Sequence, residues 1–353
     1  MPGREFGLRV GMTGRLLLNA ALIASLSTAP AAAAEQDQSS EVKGQTTFRS
    51  AIDVVSVSAV VRDRRGRFVG NLEQADFVIA EGGEFRKILD FRAQSDGPVK
   101  LALLFDVSGS MRLGNKAVDA RQMARHLFSA LKAGDEAAVF AFDTRLVRVT
   151  GFTPHLSSLE TALERVEPPF GQTSLYDAIA ETARAVALEG DDGQVQQRSA
   201  IVVLTDGIDT RSRQTAEQVS SIASGIDIPV YIVAVMSQID DPRREGGTQP
   251  PSALTNLARW TGGEFFSASA PAHASVAARQ IVEELRHQYL LAFEASTRPG
   301  WRPLEVRARD TDLTVRARAG YRVEDVGRIG TVDMNVDQTN AERMTVLLAR
   351  RTR

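Results

Sequence analysis

The chain predicts an α/β fold, a doubly wound and mostly parallel sheet accompanied by a small β-sandwich. Three observations lead there. Between Pro98 and His287, continuous apolar runs alternate with stretches of helical periodicity. The segments on either side read as short strands of alternating polarity. Two of the apolar runs stop on an aspartate, Asp106 and Asp206.

The elements follow in order. Ile52 to Val61 is a Val-rich strand, Asp63 to Gly66 a turn, Phe77 to Ala80 a second strand, and Arg86 to Phe91 a third. These are too few for a core of their own and call for partners elsewhere in the chain. Lys100 to Asp106 begins the α/β pattern and leads to a helix around Lys116 to Leu131, with Val118, Leu127 and Leu131 expected on one face. Ala137 to Phe142 and Leu146 to Phe152 form a hairpin-like pair, followed by helices at Leu156 to Val166 and Leu175 to Leu188. Strand Ala200 to Leu204, helix Ala216 to Ala223, strand Val230 to Val235, helix Ser252 to Trp260 and strand Glu264 to Ser267 complete the alternation. Beyond it, Tyr289 to Phe293, Leu304 to Arg309 and Thr314 to Arg318 return to strand character and are expected to close the sandwich with the N-terminal strands. The resulting division is N-terminal strands over 48–97, the α/β domain over 98–287, C-terminal strands over 288–324 and a tail over 325–353, in which Ala341 to Leu348 is a candidate short helix.

The first 34 residues have the layout of a secretory signal peptide. Arg4, Arg9 and Arg15 precede a short apolar stretch, Leu16 to Leu26, and Ala32-Ala33-Ala34 offers a small-residue cleavage site before Glu35. Asn19, Ser25, Ser27 and Pro30 interrupt the apolar part, so no stable membrane span is expected, an uncleaved anchor being the alternative. Residues 35–47 are a polar, aperiodic lead-in. The chain is thus expected to be secreted or periplasmic. It has no cysteine, which excludes disulfides, thiolate metal sites, Cys nucleophiles and a lipid-modified N-terminal Cys. A net charge of -2 provides no field to gather nucleic acid.

Leu101 to Ser110 reads LALLFDVSGS, so Asp106, Ser108 and Ser110 place three oxygens on one loop at a strand end. Hard divalent cations bind through oxygens of this kind. Downstream, Thr173 lies on a Gly-containing loop before a helix, and Asp206 ends the run Ile201 to Thr205. Both aspartates fall at strand carboxyl ends, where open α/β sheets bind ligands. Asp-x-Ser-x-Ser, a distant Thr and a Thr-Asp-Gly turn together resemble the von Willebrand factor type A domain and its metal-ion-dependent adhesion site. Under that resemblance the metal ligands are Asp106, Ser108, Ser110, Thr173 and Asp206, with the hydroxyls binding directly and one or both aspartates acting through water. Val60 to Gly66, Ala75 to Gly83, Leu285 to Leu291 and Arg318 to Tyr321 further resemble a bacterial, largely acidobacterial group of secreted proteins related to this domain. That wider likeness spans Phe48 to Val323 and departs at Gly82, where the group has an acidic residue.

All-oxygen ligation favours Mg²⁺, with Ca²⁺ and Mn²⁺ as alternatives, over zinc or copper. Two carboxylates and three hydroxyls on three loops leave one face of an ion open, which invites a Glu or Asp carboxylate from a partner protein. Asp209 is read first as a turn or helix-cap residue, Asp177 as a helix-dipole residue and Asp191-Asp192 as a surface turn. Met111 and Arg112 stand as either partner-facing residues or an ordinary first helical turn. Enzyme signatures are missing: no Gly-x-Ser-x-Gly, no His-Glu-x-x-His and no phosphate loop occur, and His126, His155, His273 and His287 show no ligand spacing. The leading expectation is a metal-dependent protein-binding module rather than an enzyme. A structural envelope or matrix protein with a loop-stiffening metal is the alternative, and a metal-assisted hydrolase a third.

Overall fold

The computed structural model describes residues 54–93, 97–166, 168–189, 198–236, 252–268 and 270–323. The signal peptide, the lead-in, Asp191-Asp192, the segment 237–251 and the tail with its candidate helix lie outside the described residues. The chain runs through β1 (Val54–Arg62), β2 (Phe77–Glu81), β3 (Glu84–Arg86), β4 (Ile88–Ala93) and β5 (Val99–Asp106). It continues through α1 (Lys116–Ser129), β6 (Glu136–Phe142), β7 (Leu146–Thr153), α2 (Leu156–Arg165), α3 (Leu175–Glu189) and β8 (Arg198–Thr205). Then follow α4 (Ala216–Ile226), β9 (Val230–Val235), α5 (Ser252–Trp260), β10 (Phe265–Ala268) and α6 (Pro271–Arg286). Last come β11 (Gln288–Glu294), β12 (Gly300–Ala308), β13 (Thr314–Ala317) and β14 (Gly320–Val323).

The central sheet has the order β10-β9-β8-β5-β6-β7, parallel throughout except for the antiparallel pair β6–β7. Every residue of β5 is buried, because helices cover both faces. Val99, Leu101, Leu103 and Phe105 point into the layer formed with α1, α2 and α6, while Ala102 and Leu104 point into that formed with α3, α4 and α5. This two-residue alternation is why a strand buried on both sides reads as an unbroken apolar run. Each such Leu contributes about 1.5–3 kcal/mol on burial.

Two details correct the sequence reading. Val118 is 61% exposed, while α1 buries Ala120, Met123, Ala124, Leu127 and Phe128, and Leu131 lies beyond the helix end. At about 100° per residue, Val118 and Leu127 stand on opposite sides of a helix. The helix α6 was not anticipated at all. Its apolar stripe, Ala274, Ala277, Ala278, Ile281, Val282 and Leu285, has helical spacing and was legible in the sequence.

Outside the central sheet, two antiparallel sheets have the orders β13-β1-β11-β4 and β14-β12-β2-β3. Val57, Ala59 and Val61 of β1, Phe77 and Ile79 of β2, Leu291 and Phe293 of β11, and Leu304 and Val306 of β12 share one core. The Tyr289 ring sits 5.0 Å from Phe77 and its hydroxyl donates to the Val69 carbonyl at 2.8 Å.

Ion pairs line the amino ends of the parallel strands. The Asp135 carboxylate accepts the Val99 amide at 2.9 Å, the Lys132 amide at 2.7 Å and the Arg286 guanidinium. Fully buried Glu284 of α6 takes Arg62 of β1 and Arg316 of β13, and Arg316 also pairs with Glu264. Asp227, the left-handed C-cap of α4 (φ 59°), faces Arg318 at 3.5 Å and accepts from Ser58 at 3.2 Å. Among the described residues no helix is long and apolar enough to cross a membrane.

Candidate metal site

At the opposite, carboxyl edge the strand order reverses beside β5, whose neighbours are β8 and β6. That is where Asp106 ends β5 and Asp206 follows β8. Asp106 is fully buried. Its Oδ1 accepts the Ser108 amide at 2.8 Å and its Oδ2 the Thr205 hydroxyl at 2.5 Å. Burial pushes its carboxyl up to about 6 from the usual 3.8, the hydrogen bonds from Ser108 and Thr205 oppose that rise, and the nearby Asp206 charge adds to it. The Ser108 and Ser110 hydroxyls lie 3.2 Å apart, Ser108 buried and Ser110 at the start of a short 3₁₀ turn, Gly109–Arg112.

Backbone hydrogen bonds join the three loops. The Gly109 amide donates to the Gly171 carbonyl at 2.9 Å, and the Phe170 amide to the Val107 carbonyl at 2.7 Å. A Cβ on Gly109 would stand 3.0 Å from that Gly171 oxygen, so this approach suits glycine. Buried Thr173 is clamped to the third loop: its carbonyl accepts the Thr210 and Arg211 amides at 3.0 and 2.8 Å, and its amide donates to the Thr210 hydroxyl at 2.9 Å. The Asp206 Oδ1 accepts the Ile208 amide at 3.3 Å. The five residues singled out in the sequence thus sit on three mutually bonded loops at one sheet edge.

Asp209 accepts the Leu175 amide at 2.8 Å and the Ser212 hydroxyl at 2.6 Å, serving the amino end of α3. Asp177 accepts the Arg213 and Gln214 amides, each at 3.0 Å, and holds the approach to α4. Both carboxylates are thus engaged by the backbone and hydroxyl groups around α3 and α4. Met111 is buried and Arg112 exposed, so only Arg112 faces outward.

Two residues escaped the sequence reading. Thr205 orients Asp106, and its place in the Thr-Asp-Gly turn was the available signal. Lys116 had none. Its ammonium lies 3.1 Å from Asp206 Oδ2, with side chains only 2% and 1% exposed. Two carboxylates and three hydroxyls are hard donors that fit a divalent cation, and the Lys116 ammonium shows that the pocket already accommodates positive charge beside Asp206. No cluster of three or more His, Cys, Asp or Glu occurs among the described residues, so a site here depends on hydroxyl donors.

No curated protein matches the chain significantly. Among solved structures, a von Willebrand factor type A protein from Catenulispora acidiphila is 12% identical over 78% of this chain and 76% of its own, with a TM-score of 0.45. An aerotolerance-related membrane protein from Bacteroides fragilis is 20% identical, covering 53% of this chain and 98% of its own, with a TM-score of 0.42. Proximal thread matrix protein 1 from the mussel byssus, solved with a zinc-occupied MIDAS motif, is 19% identical over 58% of this chain and 49% of its own, with a TM-score of 0.43. The family model for the von Willebrand factor type A domain matches residues 101–208, from within β5 to just past Asp206. The chain therefore carries a von Willebrand factor type A domain.

Proposed function

We propose that this protein is an extracytoplasmic binding module that captures an acidic group of a partner protein at a divalent-cation site formed by Asp106, Ser108, Ser110, Thr173 and Asp206. The observation that carries this reading is the convergence of those oxygens on three hydrogen-bonded loops at the sheet's switch point. Asp106 and Asp206 supply the negative charge, and the three hydroxyls add neutral oxygens. When bound, Mg²⁺, or Ca²⁺ or Mn²⁺, supplies positive charge for a carboxylate oxygen. The surroundings support capture rather than chemistry. Leu113, Phe170 and Ile208, one on each loop, are exposed, as are Arg112 and Arg211. Such a rim suits an acidic side chain set among apolar neighbours. The signal-peptide pattern of the first 34 residues supports export.

The test is affinity capture from envelope and secreted fractions with Mg²⁺ or chelator, comparing wild type with Asp106→Ala. A partner retained only by wild type in Mg²⁺ is expected, while the melting temperatures of the two proteins in chelator stay close. Equal recovery in every lane overturns the reading. If Asp106→Ala combined with Thr173→Ala mainly lowers thermal stability and leaves capture intact, the structural alternative replaces it.

A further inference from the structure

Lysine is seldom fully buried unless its charge is matched. Lys116 is 2% exposed and is the first residue of α1. A cation there opposes the helix dipole, whose amino end is already positive. The other buried residues of α1 are all apolar, Ala120, Met123, Ala124, Leu127 and Phe128. The Asp206 carboxylate at 3.1 Å offsets part of both costs, and the Asp206 charge is in turn felt by buried Asp106.

We propose that Lys116 is an internal counter-cation of the metal site, which neutralises Asp206 when no ion is bound and lowers the affinity for a divalent ion. The inference rests on the metal-site reading above. Asp106 and Asp206 together carry more negative charge than the Lys116 ammonium beside Asp206 offsets, which leaves the site able to attract a cation. Each ion that enters must either displace the ammonium from Asp206 or share the pocket with it, and Coulomb repulsion weakens binding in both cases. Lysine suits the task because it is a point charge on a flexible stem, which can withdraw where a planar guanidinium would not. Lys116 therefore favours reversible loading and keeps the loops folded between loadings.

The experiment is titration with Mn²⁺ alone, followed by calorimetry and by the Mn²⁺ paramagnetic resonance signal, for wild type, Lys116→Met and Lys116→Arg. Methionine retains most of the stem volume without the charge. Lys116→Met is expected to bind Mn²⁺ roughly tenfold or more tightly than wild type. It is also expected to melt lower than wild type in chelator and to gain more from Mn²⁺. A purely structural lysine predicts the opposite sign, weaker binding after its loss. Equal or weaker Mn²⁺ binding by folded Lys116→Met overturns the proposal, and so does failure of that variant to fold even with Mn²⁺ present. Lys116→Arg keeps the charge and is expected to bind no more tightly than wild type; tightening equal to that of Lys116→Met overturns the charge argument. Binding to wild type that Lys116→Met leaves unchanged refutes this inference alone, whereas absence of binding to all three proteins refutes the metal site itself.

Discussion

The two edges of the parallel sheet both bury carboxylates and treat them in opposite ways. At the amino edge, Asp135 meets Arg286, Glu284 meets Arg62 and Arg316, Glu264 meets Arg316, and Asp227 meets Arg318. At the carboxyl edge, Asp106 accepts from the Thr205 hydroxyl and Asp206 pairs with the Lys116 ammonium. Burial acts on both edges, yet the outcomes differ. Burial would raise the Asp135 carboxyl, but the Arg286 guanidinium and the Lys132 and Val99 amides outweigh it and hold the group below its usual 3.8. At Asp106 burial prevails, and the group rises to about 6. Matched charges join α6, β1 and β13 into one body. Under-matched charges stay available to a ligand.

The sharpest way to break this comparison is at the matched edge. Asp135→Asn leaves Arg286 buried without its carboxylate and is expected to cost about 3–5 kcal/mol in denaturant unfolding, with or without Mg²⁺. The pH dependence follows from the direction of the shift. A carboxylate held below its unfolded value stabilises the fold above about pH 4 and loses that contribution as pH falls through its folded value. The gap between wild type and Asp135→Asn should therefore narrow on acidification, measured as unfolding midpoints between neutral pH and about pH 3. A gap independent of pH would mean that Asp135 acts by packing.

A smaller and different effect is expected at the carboxyl edge. Gly109→Ala puts a methyl group 3.0 Å from the Gly171 carbonyl and pushes apart two loops of the proposed cation site. Mn²⁺ affinity should fall by about tenfold, while unfolding free energy drops by about 1–2 kcal/mol, less than for Asp135→Asn because no buried charge is left unpaired. A large loss of stability with affinity preserved would reverse the assignment of the two edges. The smallest effect should come from Arg64→Ala, which removes an exposed pair with Asp312 on the sandwich, 75% and 52% exposed. Exposed pairs contribute about 0–1 kcal/mol, and neither edge should respond.

How far the sequence carried the fold and the site depended on distance along the chain. Asp106, Ser108 and Ser110 lie on one loop, and their alternation with the preceding apolar run was legible directly. Thr173 and Asp206 were reachable because each stands at a turn of recognisable chemistry. Lys116 was not, since its partner is 90 positions away and its own neighbours read as an ordinary helix start. The same holds for Asp135 and Arg286, separated by 151 positions. Val118 stands about 180° around the helix axis from Leu127, so apolar character alone did not place it on the buried face. The stripe of α6 has the spacing of the other helices, so that element was legible in the sequence too.

The sequence by itself determined the order of strands and helices apart from the overlooked α6, the loops that carry oxygen donors and their position at strand ends. These are local properties, set by side-chain period and turn chemistry within a few residues. The tertiary structure alone decided which buried charges find a match. A buried charge is stabilised or penalised by groups within a few ångströms in space, and here those groups come from distant positions in the chain. That is why the five oxygens could be read from the chain, while the lysine set against them could not.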